Sequence, residues 1–331
     1  MDNMRRKDDL IGILILFTII LFTVGIFREN RLTNEYETEN LSISNPLLLG
    51  TNLGVWGEDW YWDVNEPFIK SKTQREMAKG VITSFRFPCR NFSDQDLMKI
   101  VGVIKESGAI PFVVLPANND TRAEHVVELF GDRVEWYEYG NEVDWWFGMS
   151  PEEHARRFCE AYPKLKSINP ELNLGGPVQG HTNLEHYEKW ADELELTYPE
   201  VKPDFISFHK YWAYGTESNK KILDEASNFG KEIEDIRYST VEIFGKDLPL
   251  IVSEWNWHAV PDNYDDNRDM DETFIKEFTR IVLKEMDDHN VYMAHQFCYG
   301  SGCANGHLDM VTWNETKPQF EVFLEISEDI S

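Results

Sequence analysis

The sequence predicts an α/β fold, a closed (β/α)8 barrel of the TIM type, on three observations. Eight short apolar or aromatic-rich segments alternate with helical patterns from residue 46 to residue 331. No linker or low-complexity run interrupts them. The turn after the first segment, Gly50-Thr51-Asn52-Leu53-Gly54, lacks the glycine spacing that cradles a dinucleotide and leads into tryptophans, which argues against an open doubly wound sheet. The chain has 331 residues, 42% of them hydrophobic and 13% aromatic, ample for one large core.

The strand candidates are residues 47–56, 81–88, 109–116, 134–142, 172–179, 205–212, 250–255 and 292–299. Between them, residues 94–106 place Leu97, Ile100, Val101 and Ile104 on one helical face. Ser150-Pro151-Glu152-Glu153 is a capping box with proline at the first helical position, opening a helix to about residue 167. Residues 184–196, 220–244 and 271–288 follow the same period, the last with Phe274, Phe278, Ile281 and Val282 as its buried stripe. Residues 318–330 read as the eighth helix. Residues 56–79 and 117–131 read as less regular connections.

The N-terminus divides differently. Residues 1–9 carry Arg5, Arg6 and Lys7; residues 10–27 then run without a charge. At ~1.5 Å per residue that run is about 27 Å long, enough to cross a hydrocarbon core of about 30 Å. It reads as a transmembrane signal anchor followed by a polar tether, residues 28–45. The expected location is the cell membrane, single-pass, with residues 1–9 cytoplasmic and the barrel outside; cleavage and secretion are the alternative. The formal net charge of −27 repels phosphate backbones, so nucleic acid is not an expected partner. Of four cysteines, Cys298 and Cys303 have the spacing of a small disulfide, while Cys89 and Cys159 read as buried apolar residues. The sequence leaves the oligomeric state open.

In such a barrel the carboxyl ends of the strands carry the chemistry. Strand four ends in Tyr139-Gly140-Asn141-Glu142-Val143-Asp144-Trp145-Trp146, and strand seven in Ser253-Glu254-Trp255. Two glutamates thus stand at strand ends, 112 positions apart, beside tryptophans. Strand two contributes Arg86, strand six His209 and Tyr211, and strand eight Gln296. Glu138 competes with Glu142, because alternation sends Glu138, Gly140 and Glu142 to the same side of the sheet. Glu142 is preferred as the last on the strand and the one that follows asparagine.

These residues resemble the large clan of retaining glycoside hydrolases built on (β/α)8 barrels, clan A, the cellulase- and xylosidase-like superfamily. Asn141-Glu142 and Glu254 resemble its paired signature, Ser207-Phe208-His209-Lys210-Tyr211 its S-x-H-x-Y element, and Arg86 its strand-two arginine. The resemblance spans residues 46–331 and implies a glycosidase that cleaves O-glycosidic bonds of a poly- or oligosaccharide by a two-glutamate double displacement. It implies that Glu142 is the general acid/base and Glu254 the nucleophile. It also implies that Asn141 bonds the sugar 2-hydroxyl and that His209 contacts sugar or orients the acid/base. The mechanism asks Glu142 to be raised in pKa by burial and negative charge, and Glu254 to be held ionised by donors such as Arg86 and Tyr211. Strand eight departs from the pattern: it reads His295-Gln296-Phe297-Cys298-Tyr299 where the clan commonly has a tryptophan, and Trp313 comes later.

Tryptophans at strand ends suit sugar rings, whose C–H faces stack on flat aromatics. Trp56, Trp145, Trp212 and Trp255 are therefore candidates for substrate contact, with Arg86, Asn141, His209, Tyr211 and Gln296 as polar partners. No cofactor is implied. His209, Glu254, His258, His295 and His307 would be the ligands of a metal centre, but no H-x-H strand or H-E-x-x-H helix leads one, so none is expected. Two other readings use the same face: a barrel that binds polysaccharide without cleaving it, and a transglycosylase that uses the same residues with another acceptor.

Overall fold

The structure, a computed structural model, describes residues 46–53, 67–89, 92–180, 182–264, 266–300, 306–312 and 315–330. Its eight strands are β1 (Leu48–Asn52), β2 (Ser84–Pro88), β3 (Ile110–Leu115), β4 (Trp136–Tyr139), β5 (Asn173–Pro177), β6 (Ile206–Tyr211), β7 (Leu250–Asn256) and β8 (Met293–Gln296). Each pairs in parallel with the next, and β8 closes on β1. All eight expected strands form, seven of them trimmed at their ends and β7 one residue longer, and the predicted barrel is the observed one.

The helices that cover it are α1 (Pro67–Lys70), α2 (Lys72–Ala78), α3 (Asp94–Glu106), α4 (Asp120–Phe130), α5 (Val143–Phe147) and α6 (Pro151–Ile168), followed by α7 (Leu184–Thr197), α8 (Asn219–Ala226), α9 (Phe229–Phe244), α10 (Glu272–Asp288) and α11 (Pro318–Ile330). Caps set where many of them begin. The Ser93 hydroxyl accepts from Asp96 N at the start of α3, and Ser150 accepts from Glu153 N at the start of α6.

Three connections differ from expectation. Residues 117–131 contain α4, because Asn119 caps it and Ala123, Val126, Val127 and Phe130 form a buried stripe at helical spacing. The polar run ahead of that stripe masks it in the sequence. Residues 56–79 contain α1 and α2, the latter capped by Ser71. The long helix expected over 220–244 is two helices, broken at Ser227 and Asn228, whose side chains turn back to the carbonyls of Leu223 and Asp224.

Among the described residues no helix is long and apolar enough to cross a membrane. The N-terminal residues 1–9, the apolar run 10–27 and the tether 28–45 lie outside the described residues, as do Trp56, His181, Cys303 and Trp313. Cys89, Cys159 and Cys298 are buried.

The barrel interior is filled in layers. At the bottom Phe112, Phe205, Ile251 and Met293 pack together with Leu48, Trp136 and Tyr292. Above them His295 lies across the axis, with Nε2 2.9 Å from the Ser84 hydroxyl and opposite Gly50. A Cβ on Gly50 would come within 2.4 Å of the imidazole, so only glycine leaves room for it. Burial, aided by the charge of Arg86, pushes His295 well below the ordinary histidine pKa, which keeps it neutral.

One irregularity turns a strand toward the site. Phe208 pairs with Val252 but His209 pairs with Glu254, so Ser253 is an extra residue in β7. Ile251 belongs to the apolar plug on the axis. Strict alternation would send Glu254, three positions on, to the outer face. The bulge resets the parity and brings Glu254 inside.

The turn after β4 is equally constrained. Gly140 has φ 94°, and a Cβ there would lie 2.8 Å from Val143 Cγ1 and 3.2 Å from Ala117 Cβ. His154 of α6 supports this turn by donating from Nε2 to the Tyr139 carbonyl at 2.9 Å, with its ring stacked on that of Tyr139. Gly140→Ala is therefore expected to destabilise the fold by roughly 1–3 kcal/mol in urea unfolding, through strain and overlap together. Burial lowers His154 from 6.5 to about 4. Between those values the unfolded chain binds the proton that the folded chain refuses, so stability is full above pH 6.5 and falls as pH drops toward 4. Its share of the loss is about 3 kcal/mol, and unfolding measurements across that window should show the slope shrink in His154→Gln.

Candidate active site

The polar groups at the carboxyl end of the barrel are assembled around one guanidinium. Arg86 rises from the inner face of β2 and is fully buried. Its Nε donates to Glu138 Oε2 at 2.6 Å and its Nη1 to Glu254 Oε1 at 2.6 Å. Nη1 also reaches Asn52 Oδ1 at 2.9 Å, and Nη2 reaches Asn141 Oδ1 at 2.8 Å and His209 Nε2 at 3.3 Å. Burial alone pulls its pKa down; the charges of Glu138 and Glu254 outweigh that and raise it. It remains a cation.

Glu254 receives donors on both oxygens, Arg86 on Oε1 and the Tyr211 hydroxyl on Oε2 at 2.9 Å. Burial, reinforced by the charges of Glu254 and Glu142, raises Tyr211 well above the usual tyrosine pKa, so it stays a phenol and a donor. Asn52 adds a support that the sequence reading missed. Its amide donates to the carbonyls of Ser253 at 3.0 Å and His295 at 3.3 Å, clamping the bulge residue that turns Glu254 inward. Its position at the end of β1 was visible in the sequence, but the bulge it serves was not.

Glu142 stands just past β4 with φ 43° and ψ 46°, a left-handed conformation unusual for any residue with a Cβ. Its N–H donates at 3.0 Å to the carbonyl of Val178, which itself has φ 54°. Such strain persists only where neighbours enforce it, and it gathers at functional sites. The carboxylate accepts from His209 Nδ1 at 2.9 Å on Oε1 and from Trp146 Nε1 at 3.0 Å on Oε2. Because Arg86 donates to His209 Nε2, the imidazole proton belongs on Nδ1, facing Glu142.

Burial pushes the Glu142 pKa up, as expected of an acid catalyst. The His209 hydrogen bond, the Trp146 bond and the charge of Arg86 push it down and prevail. The expectation of a raised Glu142 is therefore corrected: its carboxyl lies below the ordinary glutamate value.

Single oxygens of Glu142 and Glu254 and a ring nitrogen of His209 all lie within 4.8 Å of one another. Glu142, and not Glu138, shares His209 with Glu254. Glu138 sits one layer deeper, spent on Arg86. Arg86, Asn141, His209 and Tyr211 thus meet around the two glutamates. Glu142, His209 and Glu254 are also described residues whose atoms would suit a metal ion, but Arg86 already stands 2.6 Å from Glu254 Oε1, and a metal there would face a buried guanidinium. The other histidines are spent elsewhere: His258 on the Gly215 carbonyl, His295 on Ser84 and His307 on Asp269.

Three expected contacts are corrected by strand parity. Tyr211 points inward, so Trp212 points outward and packs on Phe229 and Phe278 at 5.2 and 5.1 Å. Glu254 points inward, so Trp255 points outward against Phe278 and Phe323. Gln296 follows Trp255 in the ladder, and its amide reaches Leu308 in the loop after β8. Trp145 does lie at the mouth, 51% exposed, edge-on to Tyr214 at 6.5 Å. Trp146, beside it, is the neighbour that touches Glu142. The spacing of four from Glu142 was the available signal.

A family model described as "Glycosyl hydrolases family 39" matches residues 123–299, more than half of the chain. The chain belongs to glycosyl hydrolases family 39. Membership meets the expectation of a glycosidase-family barrel in clan A. No curated protein sequence matches this family 39 chain. Among solved structures it is similar to a glucosidase from Croceicoccus marinus (TM-score 0.57, 16% identity, 77% of this chain and 63% of that one). It is also similar to a monomeric β-xylosidase from Caulobacter crescentus (TM-score 0.63, 13% identity, 85% and 67%). A third is Cel5A of Thermotoga maritima, solved in complex with mannotriose (TM-score 0.59, 14% identity, 85% and 98%). At these identities the likeness is one of fold. The family 39 chain spans under two thirds of the glucosidase's length.

Glu138→Gln removes one of the two charges that hold Arg86 in a water-free site. Breaking a buried ion pair from one side costs about 3–5 kcal/mol, and the glutamine amide retains part of the contact. The expected loss is about 3 kcal/mol by chemical denaturation. No change in stability would show that Glu138 is not what holds the guanidinium.

Proposed function

We propose that the protein is a retaining glycoside hydrolase that cleaves O-glycosidic bonds of an oligo- or polysaccharide, with Glu254 as nucleophile and Glu142 as general acid/base. The observation that carries this reading is the approach of the two carboxylates, with oxygens within 4.8 Å across His209, at the carboxyl ends of β7 and β4. Retaining pairs stand about 5–5.5 Å apart and inverting pairs about 6.5–9.5 Å, the wider gap admitting a water between acid and base. The approach here supports the narrower class.

The donors support these roles. Glu254 is bonded by Arg86 and Tyr211, both buried, which favours a carboxylate that attacks the anomeric carbon. Its attack breaks the C1–O bond while Glu142 gives its proton to the departing oxygen. Glu142, then a carboxylate, takes a proton from the incoming water, whose oxygen displaces Glu254 from C1. His209 holds Glu142 toward the cleft. Asn141, anchored by its Oδ1 on Arg86, is the candidate partner of the sugar 2-hydroxyl. The exposed faces of Trp145 and Tyr214 support a saccharide at the mouth.

The test is product chemistry on an activated aryl glycoside. Glu254→Ala should abolish turnover, and azide should restore it with a glycosyl azide of the opposite anomer. Glu142→Ala should lose about 10²–10⁴-fold on poor leaving groups, with azide giving the retained anomer. An inverted first-formed sugar from the unaltered enzyme would overturn the reading.

A further inference from the structure

Trp146 is 70% exposed, yet its indole N–H is committed to Glu142 Oε2 at 3.0 Å. The other carboxylate oxygen, Oε1, faces His209, which is fully buried. The oxygen that opens to the cleft is therefore Oε2, and Trp146 occupies it. An acid catalyst needs that oxygen protonated and aimed at the glycosidic oxygen. With N–H donors on both oxygens, Glu142 is arranged as an anion. Trp146 stands where the departing oxygen has to come, on a five-residue helix, α5, whose Trp145 and Phe147 are also exposed at 51% and 43%.

We propose that Trp146 is a positioning residue on the leaving-group side, which holds Glu142 Oε2 as a carboxylate in the resting enzyme and yields that oxygen to the leaving-group sugar. The sugar then lies with its C–H face on the indole, and Glu142 takes up one proton from solvent as the indole bond is released. That proton passes to the glycosidic oxygen while C1–O breaks and the Glu254 oxygen bonds to C1, so the leaving sugar departs as an alcohol. The inference rests on the assignment of Glu142 as acid/base. The lowered Glu142 pKa agrees with it, since the Trp146 bond is among the influences that lower it. The other groups bearing on this carboxyl are His209 and Tyr211 from β6, Glu254 from β7, Arg86 from β2 and Tyr214 from the loop after β6.

The experiment compares pH profiles of kcat/KM for the full chain, Trp146→Phe and Glu142→Gln, with an oligosaccharide and an aryl glycoside as substrates. The basic limb reports loss of the acid's proton in the free enzyme. Trp146→Phe keeps the ring and removes the N–H, so its basic limb should move up by about half a unit to one unit while the acidic limb stays. Trp146→Ala, which also removes the stacking face, should raise KM for the oligosaccharide at least several-fold more than for the aryl glycoside. A basic limb unmoved in Trp146→Phe overturns the inference. Glu142→Gln separates the two levels. If it erases the basic limb, the acid/base assignment stands and Trp146 is judged on its own. If the limb survives in Glu142→Gln, the assignment falls and the inference with it.

Discussion

The upper barrel depends on the burial of a single cation. Arg86 has no water to solvate it, and an isolated buried charge would cost far more than the fold can bear. It is tolerated because Glu138 and Glu254 neutralise it from two sides while Asn52, Asn141 and His209 accept its remaining bonds. The same bonds fix all five partners, drawn from β1, β4, β6 and β7 and the turn after β4. Glu138 is the structural counter-ion and Glu254 the one at the cleft. A guanidinium does this better than an ammonium because its planar fork reaches several acceptors in fixed directions. Satisfying one buried charge thus also fixes several groups of the site.

Strand parity decides which neighbours of these groups can take part. Along β6 and the residues flanking it, Phe205, Ser207, His209 and Tyr211 share the inner face, while Phe208 and Trp212 belong to the outer core. Along β7 the same rule would exclude Glu254 were it not for the extra Ser253. The bulge is thus a requirement of the site, and Asn52 pins it through the Ser253 carbonyl. Gly140 and the left-handed Glu142 do the corresponding work at β4, ending the strand so that its last carboxylate leaves the ladder and turns toward His209.

Much of this was legible in the sequence. Apolar alternation located all eight strands, and the polar residues at their ends named both glutamates, Arg86, His209 and Tyr211. The parts that were not legible share a cause: they depend on side-chain direction or on local pairing that composition does not encode. Trp212 and Trp255 sit one residue past inward-facing groups, so parity turns them away from the cleft, a rule the sequence permits but proximity to strand ends obscures. Helix α4 hid behind the turn-like run Asn118-Asn119-Asp120-Thr121, although Asn119 is its cap. The lowered Glu142 pKa was invisible because burial was legible and the two donors were not.

The same donors differ between the two glutamates. Glu142 and Glu254 are almost equally buried, 9% and 5% exposed, so desolvation does not tell the two apart. Both accept hydrogen bonds on both oxygens, so the count of donors does not either. What differs is whether the donors can leave. Those on Glu254 are a fully buried arginine tied to four other groups and a phenol in the barrel wall. One of those on Glu142 is an indole that is mostly in solvent. Locked donors favour the ionised form of a free carboxylate, whereas a carboxylate with an exchangeable donor can take up a proton when that donor is displaced. The two carboxylates are thus alike in burial and in number of donors, and differ in how exposed those donors are.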